Sequence, residues 1–193
     1  MLQSLTKLNN LRIEKDHKRI IVEWWAKISF LKNQISKLEQ LKDFPVFTVA
    51  AFLLKCQIIE FELKQIIFSL DLHLYFQTES KHFKKRVRTP KDLNDLTLGK
   101  LVNVFNQFIR PSDPIVSIKI KDDKKDPQKD ILNELKDILD EVIVKRNEFT
   151  HRLFSPGKDI QILIKGAESG IDNANKALKL FKELEKEIKI YEK

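Results

Sequence analysis

The stretch Ile131 to Phe154, ILNELKDILDEVIVKRNEFTHRLF, constrains this chain more than any other. Its apolar residues Ile131, Leu135, Ile138, Leu139, Val142 and Phe149 recur at three- and four-residue intervals, the spacing of one side of an α-helix of about six turns. At roughly 100° per residue, Arg146 projects near the middle of that arc, with Leu139, Val142 and Phe149 above and below it. A guanidinium turned inward must be paired or must face a cavity that an anion fills, because an unpaired buried charge costs several kcal/mol. Asn147 follows it, and His151 lies one turn beyond Asn147, so a permanent cation, an amide and a group titrating near neutrality gather at one edge of the inward face.

The rest of the chain suits a helical partner for that stretch. Among 193 residues there are four glycines and six prolines, which favours long uninterrupted helices over a turn-rich sheet. With 42% apolar and 33% charged residues, the length fits one domain over 1–193 with a sizeable core. The expected class is all-α, a single-domain bundle of about five helices.

In chain order, Leu2 to Leu41 reads as one long helix or two joined ones, with Ile13, Ile20, Trp24, Ile28, Leu31, Ile35 and Leu38 on its stripe, Trp24 in the core and Trp25 at its edge. His17 sits on the same stripe and reads as a core histidine, or as one that a helical bundle brings near Arg146. Pro45 opens a second helix, Val46 to about Phe76, whose buried arc is Phe52, Cys56, Ile59, Leu63, Ile66, Ile67 and Leu70. Glu60 lies at the edge of that arc, where a carboxylate either takes a cation, Arg146 being the candidate, or reaches solvent.

Residues 77–95 read as a basic loop, and a short helix from about Leu96 to Ile109 follows, capped by Asp95 or Thr97, with Gly99 admitting a close neighbour. Residues 110–127 read as a loop or short hairpin insert carrying the alternating Val116, Ile118 and Ile120. Beyond the stretch described first, Ser155-Pro156-Gly157 ends that helix, and a last helix covers Lys158 to Tyr191, kinked at Gly166 to Gly170.

A net charge of +8 implies attraction to polyanions, nucleic acid first, or a solvated lysine-rich surface. The basic loop sharpens the choice: Lys81, Lys84, Lys85, Arg86 and Arg88 surround Phe83, a set that either holds a phosphate backbone while the ring stacks a base or is only solvated. His82 is not assigned a catalytic role. Cys56 is the only cysteine, which excludes an intrachain disulfide. With no leader at the start, a reducing cytoplasm is the expected compartment. The longest apolar run, Val46 to Leu54, is too short for a membrane span. No phosphate-binding glycine loop, HExxH or nucleophile elbow occurs, and the histidines at 17, 73, 82 and 151 are scattered, so neither a cofactor nor a metal is expected.

Arg146-Asn147-Glu148-Phe149-Thr150-His151, followed by Leu153 and Phe154, resembles the motif of the HEPN superfamily, an arginine and a histidine four to six residues apart with a polar residue, often asparagine, after the arginine. The acidic residue within IIEFELKQII and the segment LTLGKLV also look like features of that family. A second Arg-x4-His, Arg12 to His17, lacks the asparagine and lies off its helix's apolar stripe. The resemblance implies an HEPN-like helical fold and a metal-independent endoribonuclease of the toxin or phage-defence type. Arg146 and His151 would be catalytic, Asn147 and Glu60 supporting, and the site composite at a homodimer interface, with an antitoxin or defence-system partner. The alternative is a non-catalytic HEPN module that binds RNA, a nucleotide or a partner protein; a third reading is a helical scaffold in which Arg146 only pairs with Glu60. Leu153 stands where some members carry a tyrosine that an antitoxin modifies, so that scheme is not expected here.

Overall fold

A computed structural model describes residues 15–40, 45–77, 88–109, 127–152 and 160–187. The fold is all-α. Six helices occur among these residues: α1 (Lys15–Glu39), α2 (Pro45–Gln77), α3 (Pro90–Asn94), α4 (Leu98–Ile109), α5 (Pro127–Arg152) and α6 (Ile160–Glu187). Proline occupies the first position of α2, α3 and α5, where its fixed φ suits a helix start and its missing N–H leaves no bond unmade.

The helix at the centre is α2, not α5. It packs against each of the other five, because its sequence is apolar on every side rather than along one stripe. All seven residues of its expected arc are buried, and Val49, Ile58 and Phe68 are buried as well. Helix α1 runs antiparallel to α2, with the Trp25 indole N–H donating to Gln65 Oε1 and, further along α1, Lys32 Nζ 3.5 Å from Glu62 Oε1. Trp24 is fully buried, its indole N–H donating to Asn94 Oδ1 at 3.1 Å, and Trp25 is half-buried, as the stripe implied.

Helix α6 lies beside α2 in the same direction, Gly170 meeting Phe52 and Asn175 meeting Lys55, and runs against α5, with Glu141 Oε2 accepting from Asn173 Nδ2 at 2.6 Å. A Cβ on Gly170 would lie 2.6 Å from the Phe52 ring, so this aromatic rests directly on the α6 backbone. Phe149 of α5 meets the edge of Phe52, ring centroids 5.5 Å apart at 66°, and approaches Gly166. The two glycines thus admit two rings between α2, α5 and α6, and α6 is a single helix across them.

Several local expectations change. Part of the expected basic loop is helical: Thr89 N–H and Oγ1 both donate to Asp92 Oδ2, Asp92 N–H donates to Thr89 Oγ1, and this capping box with Pro90 starts α3. Thr97, not Asp95, begins α4, its carbonyl accepting the first helical bond from Leu101 at 2.9 Å, while Asp95 closes α3. Gly99 faces open space and admits no close neighbour. Helix α5 starts at Pro127, four residues earlier than its apolar periodicity marks. Residues 1–14, the alternating segment 116–120 and Ser155-Pro156-Gly157 lie outside the described residues.

Candidate functional site

Leu135, Leu139, Val142 and Phe149 are fully or almost fully buried, which fixes the face that α5 turns inward. By its register Arg146 lies on that face, angularly between Leu139 and Val142 and one turn beyond Val142, and is half-buried, while Asn147 and Thr150 are exposed. Its register against α2 follows from the ring pair: with Phe52 on Phe149 and the helices antiparallel, four residues on along α2 and three back along α5 bring Cys56 opposite Arg146. Burial pushes the Cys56 thiol up to about 12, and the Arg146 charge pulls in the other direction.

Arg146 Nη1 donates to Asn147 Oδ1 at 3.5 Å, the long limit of a hydrogen bond. Among the described residues no carboxylate pairs with it. Thr150 Oγ1 donates back to the carbonyl of Arg146 at 3.1 Å, tying the turn that carries the motif. By its backbone His151 belongs to the last turn of α5, one turn beyond Asn147; its side chain lies outside the described residues.

Glu60 pairs within α2 rather than with Arg146. Its Oε1 accepts from Lys64 Nζ at 3.0 Å within α2, and Lys64, 3% exposed, also donates to the Asn94 carbonyl at 3.1 Å and lies 5.0 Å from the Phe61 ring centre. A buried ammonium one turn away competes for the carboxylate more strongly than a half-buried guanidinium on another helix. Arg88 turns toward α2: its backbone N–H donates to Asp71 Oδ2 at 3.2 Å and its guanidinium reaches both Asp71 oxygens at 3.3 Å and Gln107 Oε1 at 3.2 Å. Desolvation raises the Asp71 carboxyl above its usual range, and Arg88 offsets only part of that. Lys81, Lys84, Lys85 and Arg86 lie outside the described residues.

Sequence reading missed Lys64, Asp71 and Lys55, the last donating to Asn175 Oδ1 at 3.0 Å. Their signal was available: charged residues inside a helix that is apolar on all sides must be buried and bonded. Among the described residues no group of three or more His, Cys, Asp and Glu gathers as metal ligands, and no helix is long and apolar enough to cross a membrane. In comparisons with known proteins, the chain matches no family model, no curated protein and no solved structure.

Proposed function

We propose that this protein is a metal-independent endoribonuclease with an HEPN-type site, of the toxin or phage-defence class. The observation that carries the reading is Arg146, a half-buried guanidinium with no carboxylate partner among the described residues, set one residue before an exposed amide. A cation so placed retains charge for an anion arriving from solvent, and a phosphodiester is the anion that the motif implies.

In this mechanism Arg146 holds the scissile phosphate and offsets charge building on its equatorial oxygens. His151, whose imidazole can both accept and donate a proton, takes the proton of the ribose 2′-hydroxyl or returns one to the departing 5′-oxygen. Attack of the 2′-oxygen on phosphorus breaks the P–O5′ bond and leaves a 2′,3′-cyclic phosphate. Asn147 orients a phosphate oxygen or the imidazole. A homodimer that brings two α5 helices together supplies one histidine as base and another as acid. Lys81, Lys84, Lys85 and Arg86 give backbone attraction, and an antitoxin or defence-system partner controls the activity in the cytoplasm.

The test is incubation of single-stranded RNA with purified protein in EDTA. Wild type cuts RNA and spares DNA, which lacks the nucleophile, and His151→Ala does not cut. Cleavage that persists in the variant removes His151 from the mechanism; RNA bound but left intact by wild type makes the protein a binding module. Light scattering at tens of micromolar should report a dimer, and a strict monomer would remove the shared site.

A further inference from the structure

On the register set by the Phe52–Phe149 pair, the α2 residue opposite Arg146 is a cysteine. Cys56 is 3% exposed and stands on the face of α2 that also carries buried Phe52, Ile59 and Leu63. The nearest α2 carboxylate in sequence, Glu60, is committed to Lys64. Desolvation keeps the thiol protonated at neutral pH despite the neighbouring cation, so it contributes no counter-charge.

A carboxylate here would be covalently tethered next to the guanidinium and would pair with it at a high effective concentration, ahead of any phosphate from solution. A neutral, polarizable sulfur can support a flat guanidinium without neutralising it. We propose that Cys56 is a positioning residue that seats Arg146 on an uncharged floor and so leaves the cation available to a phosphate group arriving from outside. The inference rests on Arg146 as the phosphate-holding group of the site.

The experiment follows the Arg146 Nε–Hε resonance by NMR during titration with inorganic phosphate, the resonance being assigned by its loss in Arg146→Lys. Cys56→Asn and Cys56→Asp differ in charge at nearly constant shape. The Asp variant should need about tenfold more phosphate than the Asn variant to reach half of the shift, since an opposite charge within about 4–6 Å moves such an equilibrium by a factor of ten or more. Equal midpoints in the two variants, or a wild-type resonance with no saturable phosphate response, would overturn the proposal. So would a Cys56→Asp protein that fails to fold where Cys56→Asn folds, because a buried carboxylate within reach of Arg146 would be paired. RNA left uncut while phosphate still acts as described ends the ribonuclease reading alone; RNA cut while the Arg146 resonance ignores phosphate ends this one alone.

Discussion

Gly170→Ala puts a methyl group where the Phe52 ring already lies. Its Cβ would stand 2.6, 2.8 and 2.9 Å from three ring carbons, whereas carbons in contact settle at about 3.5–4.0 Å. Phe52 is fully buried and cannot swing into solvent, so α6 must retreat by most of an ångström or the ring must leave its rotamer. Overpacking of this kind costs about 1–3 kcal/mol, and the better helix propensity of alanine offsets about 1 kcal/mol of it. Four residues earlier, Gly166→Ala would bring Cβ to 3.4 Å from Phe149, a contact that needs almost no adjustment, so propensity dominates there. We expect Gly170→Ala to lose about 1 kcal/mol, roughly 2–4 °C in Tm at this chain length, and Gly166→Ala to gain slightly less. Thermal and urea melts by circular dichroism measure both. In a Phe52→Leu background the cost of Gly170→Ala should disappear. Two glycines that respond with the same sign, or a Gly170→Ala cost that ignores position 52, would refute the packing argument, and with it the register that sets Arg146 against Cys56.

Three other perturbations follow. The Asp71 carboxyl is raised in the folded state by burial, so the folded protein holds that proton more tightly; stability should fall as pH rises from the usual carboxylate value through the raised one, and Asp71→Asn should remove this part of the slope in urea midpoints. Lys64→Met deletes the partner of Glu60 and of the Asn94 carbonyl and should cost about 2 kcal/mol in urea unfolding, less than a fully buried pair because Glu60 is partly solvated; a loss below about 0.5 kcal/mol would show that solvent substitutes for the lysine. Arg88→Met should lower Tm by unpairing Asp71 while leaving the salt dependence of RNA binding nearly unchanged; a salt slope reduced by about one with Tm intact would place Arg88 on the RNA instead.

The helical class, the span of α2 and the buried faces of α1, α2 and α5 were legible because apolar spacing records which side of a helix meets its neighbours. Trp24, Phe52, Leu139 and Phe149 are buried as that spacing implied. The central place of α2 was present in its composition rather than in its stripe: apolar residues off the arc, Val49, Ile58 and Phe68, are buried as well, so the helix meets neighbours on more than one side. Short elements were harder. Helix α3 depends on one capping box and one proline, signals that a window of helical periodicity does not weigh.

Pairings between helices were the least legible. Glu60 and Cys56 lie four residues apart on one face of α2, and the choice of which one meets Arg146 depends on an axial shift of about 6 Å with a rotation of about 40°, set by the Phe52–Phe149 contact and the two glycines of α6. Nothing local to either residue encodes that register. The same holds for Arg88, basic among basics in the sequence, which a buried aspartate seventeen residues upstream turns inward.

The most direct measurement concerns the ends that cleavage leaves. After incubation of a single-stranded RNA in chelator, the products are analysed for 2′,3′-cyclic phosphate and 5′-hydroxyl termini, with wild type beside Arg146→Gln and His151→Ala variants of matched Tm. The proposed Arg146–His151 site predicts cyclic termini with wild type and none with either variant. Products ending in a linear 3′-hydroxyl, cleavage that requires a divalent metal, or cyclic ends from the Arg146→Gln protein at the wild-type rate would contradict it.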